Sequence, residues 1–169
     1  MIHAVVVMGV SGCGKSTLGR ALAERLGWAF VEGDDRHPPE NIAKMAAGIP
    51  LTDADRAPFL ANVAEAMAAA LDQGVVATCS ALKYGYRQLI RDRVGPLAFV
   101  MPELDVAVLR ERMKHREGHF MPASLLDSQL ASLERPGPSE NAIFVDGAQP
   151  VETQVDRAIA ILDQFAIAH

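Results

Sequence analysis

The sequence predicts an α/β fold: a single domain over residues 1–169, built on one five-stranded parallel sheet with helices on both faces. Two observations predict it. Short apolar, β-branched runs alternate along the chain with longer segments whose apolar residues recur at helical spacing. Such alternation implies parallel strands joined by right-handed crossovers. A glycine-rich run, Gly9-Val10-Ser11-Gly12-Cys13-Gly14-Lys15-Ser16, lies between the first such strand and the first such helix. Strand, loop and helix in that order are the context in which a Walker A pattern carries weight.

The first strand is the apolar run 4–8 and the first helix runs over 17–26, with Leu18, Ala21, Leu22 and Leu26 on one face. Between them, Gly9, Gly12 and Gly14 let backbone N–H groups curl round an anion without Cβ clashes, and the helix amino terminus adds its dipole. Lys15 is placed to reach β- and γ-phosphates and the Ser16 hydroxyl to ligate Mg²⁺. Val10, Ser11, Cys13 and Thr17 complete the expected nucleotide-binding segment. Gly27 stops the helix, and a second strand over 29–32 leads into Gly33-Asp34-Asp35-Arg36-His37-Pro38-Pro39, a loop with strong turn chemistry. A short helix follows over 41–47. Thr52-Asp53-Ala54-Asp55 resembles a capping box, with Asp in place of Glu, opening a long helix to residue 73. The third strand is 75–79 and a helix follows over 84–93. The fourth strand is 97–101 and a helix rich in basic residues covers 104–116. After a break at 117–122 come a helix over 123–133, an irregular connection over 134–141, the fifth strand 142–145 and a closing amphipathic helix over 151–165. Ligands in such sheets bind at the carboxyl ends of the strands, so the loops after strands one, two, three and five should share one cleft.

Composition narrows the partners. A net charge of −5 argues against a general nucleic-acid binder. No apolar run approaches the ~20 residues that span a bilayer, and no signal peptide is visible, so a cytoplasmic, non-membrane protein is expected. The two cysteines, Cys13 and Cys79, form no metal-spaced pair and read as small buried residues, both at strand ends on the nucleotide side.

A nucleotide site alone leaves switch, motor and kinase open. The Asn-Lys-x-Asp element that reads a guanine base is absent. The third strand ends in Cys79-Ser80 rather than in an acidic residue, although Ile143-Phe144-Val145-Asp146 looks like a Walker B strand and supports an ATPase or nucleotide-sensing alternative. A short chain with one glycine loop, a helical insert over about 34–73 and an Arg-rich lid over about 112–124 fits a small-molecule kinase better. The expected architecture is a three-layer P-loop NTPase fold of the nucleoside-monophosphate-kinase type.

Three blocks carry a more specific resemblance. Gly33-Asp34-x-x-His37-Pro38-x-x-Asn41-x-x-Lys44-Met45, continuing to Asp53-x-Asp55-Arg56-x-Pro58-Phe59-Leu60, is the first. Cys79-Ser80-Ala81-Leu82-Lys83-x-x-Tyr86-Arg87 is the second. Arg112-x-x-x-Arg116-x-Gly118-His119-Phe120-Met121, followed by Leu125-Leu126-x-Ser128-Gln129, is the third. Together with the glycine loop they resemble the gluconokinases from the first strand to about Pro150. The resemblance implies ATP as phosphate donor, D-gluconate as acceptor at its 6-hydroxyl, and a homodimer. A kinase of the same fold acting on shikimate or another small hydroxy acid is the alternative. One departure stands out: related small-molecule kinases tend to carry Asp-x-Asp after strand two, where this chain has Glu32, which puts a Mg²⁺-water contact from that position in question. Phe59 stands where Trp is common in the family and reads as packing.

Roles follow from chemistry and from that resemblance together. Asp34 is the candidate for orienting the acceptor hydroxyl and taking its proton, because phosphoryl transfer needs positioning and a local proton acceptor more than covalent chemistry. Asp35 reads as a turn residue. Lys15, Arg112 and Arg116 would neutralise charge on the transferred group; Arg112 and Arg116 lie four apart on one helical face. The resemblance assigns Arg116 to the lid and leaves Arg112 the option of stacking on adenine. A polyhydroxy acid calls for a bidentate Arg or a Lys plus short polar donors, for which Arg56, Lys83, Arg87 and His119 are candidates, each equally readable as a surface ion pair. His37 reads as a group that fixes its loop, Lys44 as structural or substrate-facing, and residues 146–150 as a backbone wrap for adenine.

Overall fold

The computed structural model describes residues 1–115 and 125–168. Its strands and helices are β1 (Ala4–Val7), α1 (Lys15–Leu26), β2 (Ala29–Val31), α2 (Pro39–Ala46), α3 (Asp53–Ala69), β3 (Val75–Thr78), α4 (Tyr84–Val94), β4 (Ala98–Glu103), α5 (Val106–Lys114), α6 (Leu125–Ser132), β5 (Ala142–Asp146) and α7 (Val151–Ile167). The strands form one parallel sheet in the order β2-β3-β1-β4-β5. The expected α/β fold, its five strands and their direction are all present.

Two apolar layers follow from the alternation of strand side chains. Ala4, Val6 and Met8 join Phe59, Val63 and Met67 of α3 and Ile90 of α4 on one face. Val5 and Val7 join Leu18 and Leu22 of α1 and Val155, Ala158 and Leu162 of α7 on the other. Both faces of β1 and β3 are covered, which is why these strands read as unbroken apolar runs rather than alternating ones.

β4 runs two residues past the expected end and includes Pro102. Val100 O accepts from Met8 N, so alternation points the Pro102 nitrogen to the same side, where β1 has already left the sheet. No ladder bond is forfeited, and the proline is tolerated. The carboxyl-side extension to Asp146 in β5 pairs Glu103 with Asp146 at the same end.

The insert is pinned at its second helix. Thr52 Oγ1 accepts from Asp55 N at 3.1 Å and Asp55 Oδ2 accepts from Thr52 N at 2.9 Å, the reciprocal cap that the sequence indicated. Lys44 donates to the same carboxylate at 2.8 Å. Lys44 is therefore structural here, tying α2 to the start of α3.

Candidate active site

The glycine loop leaves β1 between β3 and β4 and enters α1 at Lys15. Gly9, Gly12 and Gly14 take φ values of +130°, +87° and +95°, which side chains rarely adopt. Gly14 is the N-cap of α1 and makes no side-chain capping bond, and the first turn holds no acidic residue. The amino end of the helix thus keeps its positive potential for an outside anion. The side chains of Val10 and Cys13 turn down into an apolar cluster with Leu109, Met113 and Leu126. Their part in nucleotide binding can only be through backbone. Gly9 sits behind the loop, against Cys13 Sγ.

Above the loop is a cavity of about 430 Å³, lined on one side by Gly12, Gly14, Lys15, Ser16 and Thr17 and on the other by Glu111, Arg112 and His115. Ser11 lines it too. Lys15 Nζ folds back to donate to Gly9 O and Val10 O at 3.0 and 3.1 Å. Arg112 Nη1 donates to Gly12 O at 3.2 Å. Two cations therefore border the loop, one from α1 and one from α5. The Ser16 hydroxyl opens on the same space, and a single hydroxyl fits an ion that takes most of its remaining oxygens from phosphate and water. Among the described residues no cluster of three His, Cys, Asp or Glu side chains offers an all-protein metal cage.

A second, smaller cavity of about 40 Å³ adjoins the first, with His37, Arg56, Phe59, Tyr86, Ser128 and Gln129 in its wall. Asp34 and Ser80 line both cavities. Asp34 gets there because the chain turns sharply after β2 into a single 3₁₀ turn, Gly33–Arg36. Arg56 Nη1 donates to Leu51 O at 2.8 Å and to the Tyr86 hydroxyl at 3.2 Å, and Tyr86 in turn donates to Asp53 Oδ1. His37 stacks on Phe59 with ring centroids 3.7 Å apart and planes 9° from parallel. Burial pushes its imidazole down to about 4 against the opposing pull of Asp34, with Arg56 adding to the lowering. The ring is neutral at physiological pH and Nδ1 accepts from Asn41 Nδ2 at 3.3 Å. Phe59 is thus packing, as its place in the sequence suggested, and His37 does fix the loop.

Comparison with known proteins fits this geometry. A family model described as "AAA domain" matches residues 5–136. A gluconokinase of Gluconobacter oxydans is 50% identical over 157 residues, covering 92% of this chain and 88% of that protein. The chain belongs to the gluconokinase family. The thermoresistant gluconokinase of Escherichia coli is 40% identical over 95% of this chain and 93% of its own. A crystal structure of a gluconokinase from Sinorhizobium meliloti superposes with a TM-score of 0.87 at 51% identity, covering 98% of this chain and 94% of that one. Shikimate kinase from Aquifex aeolicus, at 16% identity and a TM-score of 0.68, shares the fold.

Several expected site residues land elsewhere. Arg87 is corrected: its guanidinium is buried, donating to Glu140 at 2.7 and 3.3 Å and to Ala81 O at 2.8 Å, so it has no face left for a substrate. Lys83 sits 3.4 Å from Asp53 Oδ1 and lines neither cavity. Arg116 and His119, with most of the expected lid, lie outside the described residues. Asp146 ends an edge strand two places from β1 and accepts from Ala148 N in its own turn. It lines neither cavity, which removes the geometric basis of the Walker B resemblance. Asp146 and Ala148 instead border a separate hollow beside β4. The cysteines fall in different apolar clusters, and burial pushes the Cys79 thiol up to about 12, which disfavours its thiolate.

Sequence reasoning missed two contributors. Ser80 appeared only as part of a block, yet it stands with Asp34 at the junction of the cavities. Gln129, on α6, accepts from Ser11 N at 2.7 Å and borders the smaller cavity. A buried glutamine after a lid segment was the available signal, but nothing local says which loop it reaches.

Proposed function

We propose that the protein transfers the γ-phosphoryl group of ATP to the 6-hydroxyl of D-gluconate, giving 6-phospho-D-gluconate and ADP. The observation that carries this reading is the position of Asp34, in the wall shared by a phosphate-type cavity and a smaller cavity bordered by Arg56. The gluconokinase relatives, which cover more than nine-tenths of the chain, support the choice of acceptor.

In this reading the triphosphate lies over the glycine loop, and Lys15 leaves its two carbonyl partners for the β- and γ-oxygens. Mg²⁺, held by Ser16, would screen phosphate charge. Arg112 stands beside the loop to neutralise charge as it grows on the transferred group, with Arg116 joining from the lid. Asp34 hydrogen-bonds the 6-hydroxyl, aligns its lone pair with phosphorus, and takes the proton as the new O–P bond forms and the bond to the β-phosphate oxygen breaks. Arg56 has one guanidinium nitrogen engaged in hydrogen bonds and would present the rest of its fork to the acid, with Lys83 and His119 as further proposed substrate contacts.

The acceptor cavity is small, and the apolar contact of Met45 and Leu51 with Leu125 forms part of its wall. Closure around the bound acid would exclude water from the γ-phosphate. The same proposal includes one domain over 1–169, with the insert at 34–73 and the lid at 112–124, acting as a homodimer in the cytoplasm. Free cysteines suit a reducing compartment.

The test is ADP release with Mg-ATP, alone and with D-gluconate, shikimate, AMP, glucose or other sugar acids. Saturable stimulation by gluconate is expected. Stimulation by another acid alone would move the acceptor, and slow hydrolysis indifferent to every acid would overturn the kinase reading. Asp34→Asn should lower kcat at least 100-fold with nucleotide affinity within about threefold of the wild type; an equal loss in both would make Asp34 a metal group instead.

A further inference from the structure

Glu32 occupies the place where a metal-facing aspartate was expected, and the structure gives it other work. β2 and β3 are neighbours with Val31 opposite Ala77, so the next residues on each strand, Glu32 and Thr78, meet at the carboxyl edge of the sheet. The Thr78 hydroxyl donates to Glu32 Oε1 at 2.5 Å and accepts from Gly33 N at 3.0 Å. Thr78 is buried and the Glu32 side chain is only 14% exposed. On its outer side the carboxylate lies 3.6 Å from Arg20 of α1. Glu32 lines neither the phosphate cavity nor the acceptor cavity.

The backbone at this point has almost no freedom. A Cβ on Gly33 would lie 1.8 Å from Thr78 O, so the chain crosses directly over β3. The hydroxyl of Thr78 can serve Gly33 N as acceptor only if its proton points elsewhere, and Glu32 is what it points at. A side chain with no acceptor in that place would leave the hydroxyl free to rotate. A carboxylate fixes it, through a charge-assisted bond of the stronger kind. The residue after Gly33 is Asp34.

We propose that Glu32 is a positioning residue: it orients the Thr78 hydroxyl, which locks Gly33 over β3 and so aims Asp34 at the junction of the two cavities. Mg²⁺ is not its partner. The inference rests on the role given to Asp34 above, but the geometry it invokes is read independently of turnover.

The experiment compares Glu32→Gln, Glu32→Ala, Thr78→Val and Thr78→Ser in the full chain, with Asp34→Asn as the control. Readouts are kcat, KM for ATP and gluconate, the Mg²⁺ dependence of binding a non-hydrolysable ATP analogue by calorimetry, and hydrogen exchange of the Gly33 amide. Glu32→Gln keeps an acceptor oxygen and should hold kcat within about threefold of wild type. Glu32→Ala and Thr78→Val should each lower kcat roughly tenfold, the value of one buried hydrogen bond, with KM for ATP and the half-saturating Mg²⁺ unchanged and Gly33 exchange faster by a similar factor. Thr78→Ser should restore most of both. A tenfold rise in half-saturating Mg²⁺ for Glu32→Gln would overturn the proposal in favour of a metal role. So would unaltered Gly33 exchange in Thr78→Val, or in Glu32→Ala should that variant alone fold. If Asp34→Asn keeps wild-type kcat while the exchange result holds, the catalytic role of Asp34 fails and the hydrogen-bond geometry stands.

Discussion

Replacing Arg87 separates a structural cation from a substrate-binding one. In the fold its guanidinium makes three hydrogen bonds, two to Glu140 and one to Ala81 O, with side-chain exposures of 1% for Arg87 and 5% for Glu140. Arg87→Met keeps most of the volume and leaves the Glu140 carboxylate buried with Gly137 N at 2.9 Å as its hydrogen-bond donor and the charge of Arg91 nearby. Breaking one partner of a buried pair costs about 3–5 kcal/mol, a large part of the roughly 5–15 kcal/mol that holds a domain together. At about 2–4 °C per kcal/mol for a chain of this size, the melting temperature should drop by roughly 6–20 °C. Thermal unfolding followed by circular dichroism measures it.

The loss should also depend on pH. Burial pushes the Glu140 carboxyl up, but Arg87, the Gly137 N–H and Arg91 together hold it below its ordinary 4.5. A depressed carboxylate stabilises the fold above its unfolded pKa, and that stability is lost as pH falls through the folded one. Without Arg87 the burial effect wins and the carboxyl shifts upward, so the gap between wild type and Arg87→Met should narrow as the pH is taken below about 4.5. Adding Glu140→Leu to Arg87→Met should recover part of the stability, because the stranded charge is gone. A variant with wild-type stability and a KM for gluconate raised tenfold or more would refute this reasoning and return Arg87 to the substrate site.

Three further outcomes follow from the site. Lys15→Ala should reduce kcat about 10²–10³-fold, the usual effect of losing one preorganised charge donor, while urea unfolding stays close to wild type; near wild-type turnover would displace the nucleotide from the 9–16 loop. Gly33→Ala should be folding-defective or strongly destabilised, since its Cβ cannot coexist with Thr78 O at 1.8 Å, and a soluble variant with a normal melting curve would show that β2 and β3 part more easily than their contact suggests. His37 is held neutral with its pKa lowered to about 4 from 6.5, so its contribution to stability is complete above pH 6.5 and fades as pH falls towards 4. Discounted for partial exposure this is about 1–2 kcal/mol, and a stability–pH curve for His37→Asn that runs parallel to wild type across that window would remove His37 as the cause.

The phosphate half of the site was legible because it is built almost wholly from consecutive backbone. A strand, three glycines at φ values that Cβ forbids, and a helix amino terminus are local facts, and the sequence states each of them at a fixed spacing. The sheet was legible for a related reason: a strand covered on both faces must be apolar throughout, and each such run was one strand of the sheet. The extension of β4 through Pro102 was not, because a proline is excluded from a strand only where a neighbour waits for its N–H, and the end of β1 is not written next to Pro102.

The acceptor half follows a different logic, and the cationic residues show why. Arg56, Lys83 and Arg87 have the same chemistry, and all three fall within the blocks that resemble the family. What separates them is the partner each finds in three dimensions. Arg87 meets Glu140, 53 residues away, and is consumed. Lys83 meets Asp53 and stays at the rim. Among the described residues Arg56 hydrogen-bonds only a carbonyl and a phenol, feels the Asp53 carboxylate through charge without a hydrogen bond to it, and borders the cavity. A cation is available to bind an acid when no carboxylate in the fold has claimed it. Counting basic residues on a loop cannot answer that, since the claimant comes from a distant segment. Glu32 obeys the same rule from the other side: its sequence position pointed to magnesium, and the hydroxyl of Thr78 reached it first.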